Sequence, residues 1–470
     1  RGCPGSATRS ALRHVLSPPR PLQLRTETRL RVKTRLGSGR SPAMSTNDEP
    51  RPPPPSGWAD PLMGLVLQVG LPQEPANFVF SPVSIRLALS LIAAGAAGKT
   101  LDQMVAFLGT SPTSEGLQSS SARLVNSVLS NPGSGDPSDV QTDHSVPLSA
   151  KRRRRWGPSP RVSLASGVWV DQSLPLKPSF EDVAASIYRA QSKSVDFQTQ
   201  PRAAADEVNA WVEKATNGLI RELVPHESIG PSTRLVLATA LYFGVAWEEP
   251  FSHRRTRTAD FHLLDGTSVQ VPFMTIPERQ YVAVHHGFKV LKLLYHRGVE
   301  EPPRRQFSMC LFLPDETCGL AGLAEKVAAD PDFVHRHVPG SKVKVGKYGI
   351  PKFKISFQFE ASDAMTRLGL ELPFSPSEAE LTEMVVLPPS ASSAGEKLHV
   401  AKFFHRASVE VQEEGTEAAA AATGVVYRRC GHWDQPVDFV ADHPFLFVIR
   451  EEESREILFL GYVMDPSSRG

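Results

Sequence analysis

The sequence predicts a mixed α+β fold in a single large domain. Apolar runs of strand length, such as 235–243 and 444–449, are interleaved with a nearly all-apolar helical stretch at 87–96 and with amphipathic helices. No internal repeat divides the 470 residues, so we expect one mixed domain instead of an array of smaller units.

The overall composition is that of a globular protein, with 40% hydrophobic and 22% charged residues. No apolar run reaches the roughly 20 residues that span a bilayer, and we expect no membrane partner. The net charge of +2 conceals a basic leader, since residues 1–43 hold ten Arg or Lys and one acid. The remainder is therefore mildly acidic, which argues against a general nucleic-acid binder.

Residues 1–57 are predicted to be a disordered leader, basic at first and rich in proline at 52–55. The segment lacks the hydrophobic stretch of a secretory signal peptide. Two interpretations stay open, an organellar transit peptide and a true translation start at Met44. The folded domain is expected at 58–466.

The elements follow in order from a short strand at 77–80. A helix starts at Ser81-Pro82, a common N-cap and first-turn pair, and Gly98–Thr100 is predicted to end it. Further helices are predicted at 101–108, from 177 to 186 and through 208–212. The remaining strands are predicted at 162–170, 235–243, 308–314, 351–356, 407–413, 437–440, 444–449 and 457–461.

Cysteine spacing and sequence motifs argue against a cofactor, a metal site or an enzyme. Cys310, Cys318 and Cys430 are the cysteines of 58–466, and neither a CxxC pair nor a Cys/His cluster with zinc spacing occurs. These three give no paired disulfide framework, which favours a reducing compartment. No GxSxG, HExxH or phosphate-binding glycine loop occurs, and we interpret His405 as a buried histidine instead of a catalytic base.

The segment 413–430 reads EEGTEAAAAATGVVYRRC and combines two acids, a run of small residues and a dibasic end. Its alanines favour a helix when they are considered alone. Its position between the strand-like runs 407–413 and 437–440 favours an extended segment, because alanines crowd neither face of a sheet and no proline removes a ladder donor. The sequence therefore predicts a segment that is able to enter a sheet.

These blocks resemble the serpins, a superfamily of serine protease inhibitors, and are most similar to plant serpins of the Z type. The matching motifs include NFVFSPVSI at 77–85, TNGLI at 216–220 and PKFKI at 351–355. The resemblance implies the serpin fold, with a central five-stranded sheet, two smaller sheets and about nine helices. It also implies a reactive-centre loop at 413–436.

In serpins, a target protease cleaves this loop and is trapped covalently while the hinge inserts into the central sheet. The resemblance implies the bait bond Arg429–Cys430, which suits trypsin-like serine proteases and papain-like or metacaspase cysteine proteases. The Cys430 thiol is either a reactive group beside two arginines or a small residue on the leaving side of the bond. The implied hinge consists of Glu413, Glu414, Gly415, Thr416, Glu417, Ala418, Ala419, Ala420 and Ala421. We expect a monomeric inhibitor in the cytoplasm or the apoplast, and the nucleus also stays open.

The resemblance further implies residues of the shutter and breach, which control opening of the sheet: Ser81, Ser84, Thr239, Trp247 and His405. Serpins carry asparagine where this chain has Thr239, and that asparagine shares a hydrogen-bond network with the histidine that matches His405. Threonine offers one hydroxyl in place of a carbonyl and an amide, so the network must be rearranged. We expect this departure to affect the rate or stability of loop insertion, and not the fold.

An insert at 131–161 departs from the family and carries five consecutive cations. They are Lys151, Arg152, Arg153, Arg154 and Arg155. The run permits two interpretations: a nuclear-localisation or polyanion-binding loop, or a solvated insert or unspliced sequence without function. The alternative function is accordingly a non-inhibitory or substrate-type serpin that binds nucleic acid or another polyanion through 151–155. The small hinge residues favour inhibition over this alternative.

Overall fold

The structure is a computed structural model that describes residues 61–70, 76–110, 114–129, 161–276, 279–297, 305–386, 397–416 and 435–468. The predicted leader, the insert up to residue 160 and loop residues 417–434 lie outside these ranges. The described residues form nine α-helices and three β-sheets, the mixed α+β fold that the sequence predicts. No helix in these ranges is long and apolar enough to cross a membrane.

The described residues contain both helices and strands, with somewhat more residues in strands. The helices are α1 (Leu65–Gln68), α2 (Pro82–Ala94), α3 (Gly98–Leu108), α4 (Ser114–Leu129), α5 (Pro178–Ser186), α6 (Pro201–Ala215), α7 (Leu320–Ala329), α8 (Phe333–His337) and α9 (Ser362–Arg367). Short 3-10 turns lie at Pro61–Gly64, His226–Ser228, His253–Arg255 and Leu372–Phe374. The strands are β1 (Phe78–Phe80), β2 (Arg161–Asp171), β3 (Gln191–Val195), β4 (Leu235–Ala246), β5 (Arg257–His262), β6 (Ser268–Met274), β7 (Gln280–His285), β8 (Phe288–Leu294), β9 (Phe307–Pro314), β10 (Lys342–Val343), β11 (Val345–Pro351), β12 (Phe353–Glu360), β13 (Lys402–Val411), β14 (Gly415–Thr416), β15 (Val437–Val440), β16 (Phe445–Glu451) and β17 (Ile457–Val463).

Helix α2 begins where the sequence predicts. The Ser81 hydroxyl accepts a hydrogen bond from the Ser84 amide at 3.2 Å, which is an N-cap, and Pro82 occupies the first turn, where no donor is lost. The helix is buried over nearly its whole length and contacts β2 and β4 as well as β17. Ser81 and Ser84 therefore lie in the interior, beneath the central sheet.

The end of α2 differs from the prediction. Gly98–Thr100 does not end it, because α2 ends at Ala94 and Gly98 opens α3 with a φ of +50°. The Glu380 carboxylate accepts a hydrogen bond from the Lys99 amide at 2.9 Å and so caps the start of α3 from a distant part of the chain. The glycine is thus part of a helix start.

The central sheet has the strand order β12-β13-β4-β2-β3. Pairs β12/β13 and β4/β2 are antiparallel, whereas β13/β4 and β2/β3 are parallel. The parallel ladder joins residues 402–408 of β13 to 236–242 of β4 and ends there, although both strands continue. Beyond residues 408 and 242, β13 and β4 are neighbours without a shared ladder.

The other two sheets complete the core. The second has the order β1-β17-β16-β9-β8-β7-β10, with every neighbouring pair antiparallel. The third has the order β15-β11-β6-β5, in which β15 and β11 are parallel. Strands β9, β16 and β17 are buried at every residue, which explains why the sequence shows continuous apolar runs there instead of alternation.

Candidate functional site

The predicted hinge begins in a tight turn at 412–415, here called the hinge turn, which joins β13 to β14. The Gln412 amide donates to the Gly415 carbonyl at 2.9 Å, and the Gly415 amide donates to the Gln412 carbonyl at 3.3 Å. Strand β14 then pairs antiparallel with the end of β4, with Gly415 opposite Ala246 and Thr416 opposite Val245. Since β14 also contacts β13, the first hinge residues lie where the β13–β4 ladder has ended.

Gly415 permits this close pairing. Its φ is +150°, and a Cβ built on it would lie 2.4 Å from the Val245 carbonyl oxygen and 2.5 Å from Ala246 Cα. Side chains other than hydrogen do not fit so near to a backbone. Glycine is therefore required for β14 to pair with β4 in this way.

The Glu413 side chain is 3% exposed, and its carboxylate has three partners. Oε1 accepts a hydrogen bond from the Thr256 hydroxyl at 2.8 Å and lies 3.3 Å from His253 Nδ1, while Oε2 lies 2.7 Å from the Lys352 ammonium. Burial by itself would raise the pKa of Glu413, but the Lys352 ammonium and the Thr256 hydroxyl outweigh burial and lower that pKa below its ordinary value. Glu413 is thus a buried carboxylate that is ionised at neutral pH.

Glu414, on the more exposed side of the hinge turn, contacts the same histidine. Its Oε1 lies 2.5 Å from His253 Nε2, and this hydrogen bond, followed by the charge on Glu413, raises the pKa of His253. Among the described residues, these three side chains are the one group whose donor atoms lie close enough to hold a metal ion, within 4.8 Å of one another. The two ring nitrogens face different carboxylates, however, and Lys352 already neutralises Glu413. The arrangement therefore suits a proton on the ring better than a metal ion.

Trp247 and the segment after it hold the backbone of the hinge turn. The Trp247 indole Nε1 donates to the Gln412 carbonyl at 2.9 Å, and the Trp247 amide donates to the Glu414 carbonyl at 2.9 Å. The Phe251 amide donates to the Glu413 carbonyl at 2.8 Å. The predicted breach residue and the predicted hinge are therefore in direct contact.

Ser81, Ser84 and His405 meet beneath the central sheet. The Ser81 amide donates to His405 Nε2 at 3.0 Å, and His405 Nδ1 lies 3.5 Å from the Ser84 hydroxyl oxygen. Burial lowers the pKa of His405 to about 3, so the ring is neutral and carries its proton on Nδ1. The sequence-based interpretation of His405 as a buried, hydrogen-bonded histidine agrees with this geometry.

Thr239 lies opposite His405 in the β13–β4 ladder, but its hydroxyl is directed elsewhere. The Thr239 Oγ1 donates to the Ala165 carbonyl on β2 at 3.3 Å. The hydroxyl thus reinforces the β4–β2 side of the sheet, and the β13–β4 side is joined at this level by the backbone ladder.

The other predicted site residues lie outside the described ranges. They are Glu417, Ala418, Ala419, Ala420, Ala421, Arg429 and Cys430, and the cations Lys151, Arg152, Arg153, Arg154 and Arg155. Sequence reasoning missed Lys352, Thr256 and His253 as partners of the hinge. Two adjacent acids at a strand end signal that cations lie nearby, but the pattern does not indicate which cations.

Comparisons with known proteins agree with this architecture. The family model described as "Serpin (serine protease inhibitor)" matches residues 63–466. Serpin-ZXA of Oryza sativa subsp. japonica is 46% identical over 408 residues, which cover 86% of this chain and 94% of the relative. Serpin-ZX of Arabidopsis thaliana is 44% identical and covers 84% of this chain and 93% of its own length.

Solved structures show the same likeness. The native stressed conformation of Arabidopsis AtSerpin1 matches with a TM-score of 0.73 and 41% identity, covering 87% of this chain and 96% of its own. Serpin48 of the insect Tenebrio molitor matches with a TM-score of 0.67 and 26% identity, covering 87% of this chain and 95% of its own. The chain therefore belongs to the serpin family of protease inhibitors, and its relatives include plant serpins of the Z type.

Proposed function

We propose that the chain is a monomeric, suicide-type inhibitor that offers the Arg429–Cys430 bond to Arg-cleaving serine or cysteine proteases. Arg429 enters the acidic pocket of the protease, whose Ser or Cys nucleophile attacks the Arg429 carbonyl carbon. The peptide bond to Cys430 breaks, the Cys430 nitrogen takes a proton from the catalytic histidine and leaves, and Arg429 stays bound to the protease as an acyl group. Water would complete hydrolysis unless the freed loop first inserts into the central sheet.

The pairing of β14 with β4 is the observation that carries this proposal. Its register is that of an antiparallel strand entering beside β4. Continued one residue at a time, it would bring Ala418 opposite Phe243 and Val426 opposite Leu235. Residues 415–426 would then match the full 12 residues of β4.

The side chains of the hinge suit the space that this register would give them. Residues directly opposite in an antiparallel pair share one face of the sheet. Ala418 and Ala420 would therefore share the face of Phe243 and Leu241, both fully buried. Small residues enter such a face without displacing the core, so the sequence supports rapid insertion.

Insertion requires the β13–β4 ladder at 402–408 and 236–242 to open, and it replaces that ladder with two new ones. The incoming strand would be antiparallel to both neighbours, a pairing slightly more stable per residue than the parallel one it replaces. The free energy gained would drive the attached protease along the molecule and distort its active site. Trapping is then a race between insertion and deacylation.

Denaturing gels of the full chain mixed with trypsin, and in parallel with papain, test the proposal. We expect a band at the summed mass that survives boiling, with cleavage after Arg429. Replacing both Arg428 and Arg429 with alanine should remove both the band and the cleavage of this segment by trypsin, because trypsin could otherwise still cut after Arg428. Complete cleavage after Arg429 without the band would contradict trapping and would indicate a substrate-type serpin.

A matched pair of hinge variants separates insertion from bait recognition. Ala418→Arg would place a cation on the buried face opposite Phe243, whereas Ala419→Arg would place it opposite the half-buried Tyr242. We expect Ala418→Arg to be cleaved without forming the stable band and Ala419→Arg to retain it. Equal behaviour of the two variants would contradict the proposed register.

A further inference from the structure

His253 lies in the 3-10 turn His253–Arg255, between β4 and β5, and its ring bridges the two acids of the hinge turn. Nδ1 is 3.3 Å from Glu413 Oε1, and Nε2 is 2.5 Å from Glu414 Oε1. A neutral imidazole has one N–H and can donate to one carboxylate only. Both hydrogen bonds exist together only when the ring carries a proton on each nitrogen.

The charges around His253 favour this doubly protonated form. The hinge turn contributes the carboxylates of Glu413 and Glu414. Lys352, the residue between β11 and β12, contributes one ammonium, 2.7 Å from the far oxygen of Glu413. Arg254 and Arg255 belong to the same 3-10 turn as His253 and are exposed. Two carboxylates and one ammonium leave one negative charge, which the imidazolium neutralises.

We propose that protonated His253 is a positioning residue that fastens the hinge turn and so makes loop insertion dependent on pH. This rests on the proposed function. The hinge turn is the pivot from which the inserted strand would grow, because β14 already has the register of that strand. When the hinge turn is held in place, the Gly415–Ala246 pair of β14 and β4 stays formed. Insertion then only has to extend an existing strand pair and does not have to nucleate a new one.

The direction of the effect follows from the shift of the His253 pKa above its ordinary value near 6.5. Below about pH 6.5 His253 is fully protonated and bonds to both Glu413 and Glu414. These contacts are lost as the pH rises through the raised pKa of His253 in the folded protein. We therefore expect the fraction of encounters that end in trapping to be larger at pH 6 than at pH 8.5. The side chain of His253 is 64% exposed, so we expect a modest effect of about threefold.

The test compares the ratio of trapped complex to cleaved inhibitor for the natural chain and for His253→Gln, with one protease, at pH 6 and pH 8.5. Comparison at the same pH removes the pH dependence of the protease itself. We expect His253→Gln to lower the ratio about threefold at pH 6 and to match the natural chain at pH 8.5. His226→Gln is the matched control, because His226 also faces an acid, Asp206 at 3.5 Å, but lies outside the hinge region, and it should change nothing.

A second measurement does not need a protease. Hydrogen exchange of the peptide that contains 411–416 should be slower in the natural chain than in His253→Gln at pH 6, and equal in both at pH 8.5. If no complex forms with any protease, the proposed function fails, and this exchange measurement still decides the role of His253. Equal exchange of the two proteins at pH 6, or an equal trapping ratio there, would overturn the proposal.

Discussion

Replacing Glu413 with glutamine tests the buried ion pair that anchors the hinge turn. Glutamine keeps the size of the side chain and one oxygen, which can still accept from the Thr256 hydroxyl. It places an amide opposite the Lys352 ammonium, so two donors face each other where an ion pair stood at 2.7 Å. We expect a lower thermal stability of the uncleaved protein.

The magnitude follows from burial of the two partners. Removing one partner of a fully buried ion pair costs about 3–5 kcal/mol. Lys352 is 30% exposed and recovers part of its hydration, so we expect about 2 kcal/mol, the value of one charge-assisted hydrogen bond. With an unfolding entropy of about 2.1 cal/mol/K per residue over the matched region 63–466, this lowers Tm by about 2 °C.

Differential scanning calorimetry of both proteins between pH 6 and pH 3.5 measures this effect and its pH dependence. The folded pKa of Glu413 lies below its unfolded value of about 4.3. Its carboxylate therefore stabilises the fold above that pH, and the contribution is lost as the pH falls through the folded pKa. The gap in Tm should be constant from pH 6 to pH 5 and should shrink below about pH 4.

Glu410→Gln is the matched control for this experiment. Glu410 lies on β13, just before the hinge turn, and pairs with Lys354 at 2.5 Å, but the two side chains are 20% and 47% exposed. We expect its Tm to stay within about 1 °C of the natural protein, since exposed ion pairs contribute little. Equal Tm values for Glu413→Gln and Glu410→Gln, or a Tm gap between Glu413→Gln and the natural protein that persists unchanged at pH 3.5, would contradict an ionised, buried Glu413 paired with Lys352.

Three further outcomes are expected at the hinge turn and beneath the sheet. Gly415→Ala brings a Cβ to 2.4 Å from the Val245 carbonyl oxygen, so hydrogen exchange in 411–416 should accelerate and trapping should fall, with unchanged cleavage by the protease. Thr239→Asn adds an amide and a carbonyl opposite His405, and a new hydrogen bond of about 1 kcal/mol should raise Tm by about 1 °C; a lower Tm would contradict this. The pKa of His405 is about 3 in the folded protein and about 6.5 in the unfolded chain, so the free energy of unfolding falls as the pH falls from 6.5 towards 3. His405→Gln should lose this dependence. Urea titrations between pH 6 and pH 4 should show that unfolding of the variant takes up as much as one proton fewer, seen as a smaller slope of unfolding free energy against pH.

Local sequence signals predicted the elements that depend on local physics. Ser81-Pro82 marks a helix start because the cap and the proline act within one turn, and the structure has that cap. The prediction that Gly98–Thr100 ends α2 is wrong because a glycine is typical of helix ends as well as of strained helix starts. The choice between them depends on Glu380, which is 281 residues from Lys99 in the chain.

The two acids of the candidate site could be predicted from the sequence, but the residues that contact them could not. Glu413 and Glu414 are visible in the sequence as a charged pair at the end of a strand-like run. Lys352, Thr256 and His253 reach them only because β4, β12 and β13 are neighbours in the sheet, and strand order is a property of the whole fold. Electrostatic partners across a sheet have no signature in local spacing.

The parallel neighbours β13 and β4 have a consequence for the protein at high concentration. Once the ladder at 402–408 and 236–242 opens as proposed, the position between the two strands would accept an extended segment of small residues that runs antiparallel to both, because backbone hydrogen bonds do not distinguish one chain from another. The hinge of a second copy would suit the same position as well as the chain's own, and such head-to-tail linkage would leave an unfilled strand position at one end of the growing array and a free hinge at the other. We therefore expect mild heating to produce linear oligomers at a rate that rises with protein concentration, whereas a chain already cleaved and inserted should stay monomeric.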